Sequence, residues 1–274
     1  MLTRDVEHQI LELVQKRPCT IQEVAQTLGR NWRTADKYVE RIAQESGLIA
    51  TRTFRKGSRG ALKVVYWNAL DKQTGSAYQQ RLLNRILIGR QKEDFSSFDI
   101  YQFVPEETRE ALVLDDESKA DPCEMLRRAG EQLLSLSGNL SWLDLYPKAW
   151  DCIEELARRH VSIKVLTRVD VTSAEKTERL LAINERVGWD AIAIRHAEHP
   201  LRAIIIDDRL VSIKEVLSPS LSPYKELSHK MIIFYRISDH DWVVWMQKVF
   251  WHLWEQSIDA QMRIDALKAL TKTN

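Results

Sequence analysis

Four residues near the start of the chain, Thr20, Glu23, Gly29 and Asn31, constrain its fold more than any other feature. A threonine three residues before a glutamate has the spacing of a capping box, in which each side chain satisfies a backbone N–H left open at a helix start. Gly29 supplies the left-handed backbone that ends a helix, and Asn31 is a natural N-cap for the next. Between these marks Ile21, Val24, Ala25 and Leu28 form one apolar face, and Ala35, Val39 and Ile42 form another. Ahead of them Val6, Ile10, Leu13 and Val14 follow Thr3 at helical spacing until Pro18 stops the pattern. After Gly47, the runs 48–55 and 61–67 read as strands around the tip Lys56-Gly57-Ser58-Arg59-Gly60, whose two glycines give a hairpin its backbone freedom. Three short helices and a hairpin over residues 3–67 make a winged helix-turn-helix.

Such a module lays its third helix in the major groove of DNA and its wing on phosphate. The first turn of that helix reaches base edges, so Asn31, Arg33 and Lys37 are the candidates for groove contact. Thr34 and Arg41 share the same outer face. Trp32 has two readings of equal weight, a DNA contact or a wedge between helices. Arg55, Lys56 and Arg59 sit at the wing tip, where basic residues either touch phosphate or are simply solvated. Charge favours the first reading. Residues 1–70 hold 12 Lys plus Arg against 7 Asp plus Glu, a formal +5, whereas the rest of the chain holds 28 against 32, a formal −4. A nearly neutral protein with its positive charge gathered at one end calls for a polyanion there, and double-stranded DNA is the partner expected.

At 274 residues and 44% hydrophobic, the chain is long enough for two cores. No charged-then-apolar leader opens it and no run of about 18 apolar residues crosses it, so a cytoplasmic, nucleoid-associated location without membrane contact is expected. Cys19, Cys123 and Cys152 are scattered and odd in number, which suits packing in a reducing compartment. No Cys/His spacing suits zinc, so neither metal nor cofactor is expected.

The residues beyond the wing divide in two. Tyr78, Leu82, Leu83, Ile86 and Leu87 make a helical stripe, favoured as a dimer contact over packing on its own module. Residues 95–104 and 115–117 look irregular and set a boundary between 92 and 121. The expected domains are 1–70, the winged helix-turn-helix; 71–121, a helical connector and dimerisation segment; and 122–274, an α/β domain. Within the last, the patterns predict helices over 123–136, 148–159 and 174–187 and strands over 140–145, 162–166, 191–195, 202–206, 210–214 and 231–236. A helix opened by Ser238 and carrying Trp242, Trp245, Trp251 and Trp254 follows, then an amphipathic helix over 257–270. Alternating helix and strand argue for an α/β/α sandwich.

The helix Glu154-Glu155-Leu156-Ala157-Arg158-Arg159 running into Val161-Ser162-Ile163-Lys164-Val165-Leu166, and Arg195-His196 followed by 201–209, carry a likeness to a known family. Together with the winged helix-turn-helix and the helical connector, they resemble the archaeal TrmB-like transcriptional regulators, whose second domain is similar to one half of a phospholipase D-like fold. The resemblance implies a homodimeric DNA-binding regulator or chromatin-like DNA binder, not an enzyme, with a second domain for dimerisation and for sensing a small-molecule effector. The separate sugar-binding domain of some members has no room here.

The same stretch carries a rival reading. Active phospholipase D-like enzymes use His-x-Lys with an Asp five residues after the Lys, an imidazole nucleophile beside a cation that neutralises the phosphate in transfer. Arg202 and Asp207 keep that last spacing, but His199 stands three residues before Arg202 instead of two, and His196 lies further off. On a strand holding both, the shift would turn His199 away from Arg202. No Gly-Ser-x-Asn follows Asp207. His199, Arg202 and Asp207 are therefore weak catalytic candidates in a degenerate motif; an anion pocket near Arg202 and Lys214 is favoured over catalysis, and plain turn residues with solvated charges are favoured over both. The functional alternatives are a phosphodiesterase or nuclease targeted by its winged helix, and a winged helix that docks a protein.

Overall fold

The computed structural model describes residues 2–55, 61–67, 77–116, 120–218 and 230–272. The chain forms two compact units, Met1–Thr74 and Gly75–Asn274.

In the first unit, helices α1 (Arg4–Lys16), α2 (Ile21–Leu28) and α3 (Trp32–Ser46) pack with strands β1 (Cys19–Thr20), β2 (Ile49–Arg55) and β3 (Ala61–Trp67), and the sheet runs β1-β3-β2, all antiparallel. The capping box forms: the Thr20 hydroxyl accepts from the Glu23 N–H at 3.1 Å, and the Glu23 carboxylate accepts from the Thr20 N–H at 2.7 Å. Gly29 and Gly47 end α2 and α3 at φ of 59° and 66°, a conformation that costs a β-carbon dearly and glycine little. The Asn31 side chain caps α3 by accepting from the Thr34 N–H at 2.9 Å. Ile10, Val14, Val24, Ala35, Val39 and Ile42 close over Ile49 and Val65 of the sheet. Each large apolar side chain so buried contributes about 2 kcal/mol. The wing tip, with Lys56 and Arg59, lies outside the described residues, as does the side chain of Arg55.

The second unit is an α/β sandwich around an eight-stranded sheet, ordered β11-β7-β6-β5-β8-β9-β10-β4. Its strands are β4 (Arg109–Leu114), β5 (Gln132–Leu136), β6 (Ser162–Thr167), β7 (Ile192–His196), β8 (Ala203–Ile206), β9 (Leu210–Leu217), β10 (Met231–Ile237) and β11 (Ile258–Asp259). β5, β6 and β7 are parallel, and the other pairings are antiparallel. Helices α6 (Pro122–Leu126), α8 (Lys148–Arg158), α9 (Ala174–Val187) and α11 (Ala260–Lys272) cover one face, packed on Leu133, Ile163, Val165, Ile192 and Ile206. The alternate positions Leu134, Leu136, Leu166 and Ile205 are as deeply buried and point to the other face, where α10 (His240–Glu255) crosses β5, β6, β8 and β9. Trp245, Trp251 and Trp254 are buried along α10. Helix α4 (Ala77–Ile88) packs on α10 through a stripe of buried Leu82, Leu83 and Ile86.

Several elements differ from the sequence patterns. Residues 132–136, expected to end a helix, are β5: Leu133, Leu134, Ser135 and Leu136 are all buried, and a short stretch buried on both faces shows no alternation to mark it as a strand. Residues 142–145, expected as strand, are the one-turn helix α7 (Trp142–Leu145), entered through Leu140 at φ 60°. The segment 92–121, expected to hold a boundary, lies within the second unit, where β4 is hydrogen-bonded to β10 as an edge strand. α5 (Phe98–Tyr101) lies in that segment. The helix expected to open at Ser238 is capped by Asp239, whose carboxylate accepts from the Trp242 N–H at 3.0 Å. The last amphipathic segment starts with β11, paired to β7, before α11 begins at Ala260. No helix of the described residues is long and apolar enough to cross a membrane.

Candidate functional site

Helix α3 separates its charges by face. On the side toward the wing, Asp36 and Glu40 hold the ammonium of Lys63 on β3 at 2.6 and 2.7 Å. Burial alone would lower the Lys63 pKa, but these two hydrogen-bonded carboxylates raise it on balance. That triad staples the helix to the wing strand and engages two of its three acidic residues. The outer face is different. Arg33 and Lys37 are exposed, one turn apart, and meet no carboxylate among the described residues. Trp32 is 53% exposed, with the Arg33 guanidinium 5.6 Å from its ring centre, so of its two readings the wedge between helices is not the one adopted. Asn31 spends its oxygen on the helix cap, and Thr34 is half-buried behind it. Arg41 is tied to Glu45 at 2.7 Å, one turn on. Arg30, exposed in the turn between α2 and α3, adds a cation that no helical period marks.

In the second unit a cavity of about 300 Å³ opens at the C-terminal ends of the parallel strands. Ser137 and Gly138 follow β5, Arg168 follows β6, and Ala197, Glu198 and His199 follow β7; Arg202 and the segment Arg90–Glu93 complete the lining. The crevice beyond such strand ends is where open α/β sheets bind ligands. β8 starts only at Ala203, so the alternation that would have parted His199 from Arg202 does not govern them, and both line the cavity. His199 is buried, its Nε2 lies 3.3 Å from the Leu166 carbonyl, and its Nδ1 makes no hydrogen bond. Because a carbonyl only accepts, this contact places the ring proton on Nε2. Burial pulls the His199 pKa down to about 4, assisted by the Arg202 charge and opposed by the Leu166 and Leu201 carbonyls.

Asp207 is not in this cavity. It ends β8, whereas Arg202 precedes it, about 16 Å of extended chain away. At φ 48°, its carboxylate accepts from the backbone N–H groups of Gly130, Glu131 and Gln132 at 3.0, 2.9 and 2.8 Å, and pairs with Arg209. Burial would raise the Asp207 pKa, but those amide and guanidinium donors lower it on balance. Lys214 stands on β9, its backbone N–H donating to the Arg202 carbonyl at 2.7 Å, and does not line the cavity. His196 accepts from the Val169 N–H at Nδ1, 2.9 Å, and also stays outside the lining. The structure thus brings together His199 and Arg202 but not Asp207. It adds Arg90, Ser137, Gly138 and Arg168, which come from separate segments and share no sequence signal.

No protein-family model matches the chain, and no curated protein does. Among solved structures it is similar to TrmBL2, an archaeal chromatin protein whose structure is described as showing a novel mode of DNA binding, at 15% identity and a TM-score of 0.39, covering 94% of both chains. It is also similar to NucT from Helicobacter pylori, at 12% identity, TM-score 0.39, over 55% of this chain and 98% of that one. Nuc from Salmonella typhimurium, a phospholipase D family member, matches at 13% identity and TM-score 0.38 over 55% of this chain and 97% of that one.

Proposed function

We propose that the protein binds double-stranded DNA as a regulator or chromatin-like protein, with α3 in the major groove. The observation that carries this reading is the division of α3: Asp36 and Glu40 are held by Lys63, Glu45 is paired with Arg41, and Arg33 and Lys37 are left exposed beside an exposed Trp32. A helix folded only to pack has no need of that separation. The first turn carries the reaching groups, as in helix-turn-helix docking. By sequence, Arg55, Lys56 and Arg59 between the two wing strands are proposed to add phosphate contacts.

A two-fold dimer is part of the proposal, because two such helices about 34 Å apart would read adjacent major grooves. Support comes from α4, where Leu87, flanking the buried stripe, and Ile88, away from it, are 38% and 81% exposed. Light scattering on the full chain tests it, and a monomer at DNA-binding concentrations would refute it.

Binding is measured by fluorescence anisotropy on upstream DNA of its own gene and on a random duplex, across a salt series. Tight binding with a steep salt slope is expected, and the slope falls by about 1 for each phosphate contact removed. The Arg33→Ala/Lys37→Ala double variant is expected to lose about 10-fold or more in affinity, on the order of 1–3 kcal/mol. No binding by the unaltered chain at low salt would sink the reading. Preference for the upstream duplex would mark a site-specific regulator, and equal affinity a general coater.

The second unit is read as binding without phosphodiester chemistry. An attacking imidazole needs a basic nitrogen facing substrate; in His199 the nitrogen left with a lone pair is Nδ1, which is buried, and burial suppresses the basicity of the ring. Turnover of bis(4-nitrophenyl) phosphate that His199→Ala abolishes would overturn this.

A further inference from the structure

The cations around the cavity are not alike. Arg90 pairs with Glu198 at 3.2 Å, Lys92 with Glu93 at 3.6 Å and Arg168 with Asp170 at 3.0 Å. Arg202 has no such partner among the described residues. Its guanidinium is half-buried and makes one hydrogen bond, to the Leu201 carbonyl at 3.1 Å, although the group carries five N–H donors. Burial lowers its pKa, the mark of a charge held where water solvates it poorly. A second feature shapes the place: a β-carbon at Gly138 would come within 2.5–2.7 Å of Nη2, Cζ and Nε of Arg202. Glycine there lets the guanidinium plane lie flat against the chain that leaves β5.

We propose that this cavity binds the phosphoryl group of a small phosphomonoester, with Arg202 as its principal donor. A planar guanidinium with free parallel N–H groups suits two oxygens of one oxyanion. The cavity, about 300 Å³ and open to solvent, has room beyond a lone phosphate for an organic remainder. The carboxylates of Glu93 and Glu198, also in the lining, repel a continuous polyanion such as a DNA backbone but tolerate one compact headgroup and accept from hydroxyls on its remainder. The site would act as a sensor of a phosphorylated metabolite class, independently of whether α3 binds DNA.

The test is isothermal titration of the full chain with glycerol 3-phosphate, inorganic phosphate and dimethyl phosphate. Glycerol 3-phosphate is expected to bind, inorganic phosphate more weakly and dimethyl phosphate least. Arg202→Ala should weaken glycerol 3-phosphate at least 10-fold. Gly138→Ala should do the same with the arginine still present, because the clash falls on the movable end of a side chain and displaces the guanidinium without disturbing the fold. Both variants are checked for an unchanged unfolding midpoint, and either one that folds suffices for the test. Equal binding by wild type and a folded variant would overturn the proposal, as would no binding of glycerol 3-phosphate or inorganic phosphate by the wild type. Dimethyl phosphate binding as tightly as glycerol 3-phosphate would overturn the choice of a monoester. The anisotropy assay on duplex DNA is run in parallel, and Arg202→Ala should leave it unchanged, so the two readings fail separately.

Discussion

Strand β8 carries a charged residue at each end, and the two are treated in opposite ways. Asp207 at one end is enclosed by three backbone amides and Arg209, so its charge is matched several times over. Arg202 at the other end faces a cavity with a single carbonyl for a partner. The same contrast recurs on α3, where Lys63 sits between two carboxylates and Arg33 meets none among the described residues. In both units a saturated charge ties segments together and an unsaturated one lies at a surface or cavity that a ligand can reach. Saturation, more than burial or residue type, tells a structural charge from a binding one.

The sharpest way to break this comparison is to remove each charge of β8 in turn. Asp207→Ala takes the acceptor from three part-buried amides and the partner from Arg209, and a loss of about 2 kcal/mol in stability is expected from urea denaturation. Arg202→Ala removes a poorly solvated charge with little to replace, and a change within about 1 kcal/mol is expected. If Arg202→Ala proved as damaging as Asp207→Ala, Arg202 would be a structural residue and the contrast would fail.

Acid titration separates the same neighbourhood by pH. His199 has a folded pKa of about 4 against an unperturbed value of about 6.5, so the unfolded chain takes up the proton first as pH falls. Its contribution to stability is complete above about pH 6.5 and is lost progressively down to about pH 4, by about 3 kcal/mol in total. His199→Gln should flatten that part of the curve. Asp207, whose folded pKa is lowered, acts in a separate window: its contribution is present above the unfolded carboxylate value of about 3.9 and is lost as pH falls below it. A His199→Gln curve as steep as wild type between pH 6.5 and 4 would mean that the ring is already charged in the folded state.

Why the sequence disclosed one unit so much better than the other follows from the kind of signal each uses. The capping box at Thr20 and Glu23, the cap at Asn31 and the αL glycines are local, each decided by residues within a few positions, and so the helix-turn-helix is legible. β5 is buried on both faces, and its Leu133–Leu136 stretch carries no alternation to distinguish strand from helix. β4 is an edge strand with partly exposed positions, defined by its pairing to a strand more than a hundred residues later. The cavity is worse still for a reader of sequence. Arg202 and His199 were visible as candidates, but the Lys-to-Asp spacing that drew attention to Arg202 joins opposite ends of β8. Gly138 and Arg168 enter only through the parallel register of β5 and β6.

The smallest effects belong to the outer face of α3, where Arg41 stands between the two classes. It points outward like Arg33 and Lys37 but is already paired with Glu45 at 2.7 Å, both side chains more than half exposed. An exposed pair of this kind contributes about 0.5 kcal/mol, enough to compete with one phosphate contact but not to forbid it. Arg41→Ala is therefore expected to reduce DNA affinity less than Arg33→Ala or Lys37→Ala. The opposite change is more telling. Glu45→Gln frees Arg41 and removes a negative charge from the binding face, and a gain of about 2-fold in affinity with a steeper salt slope is expected, near 0.5 kcal/mol. The anisotropy salt series reads both quantities. A Glu45→Gln variant with weaker binding and an unchanged slope would show that the Arg41–Glu45 pair orders the helix for docking. Saturation would then fail to mark the structural charges on this face.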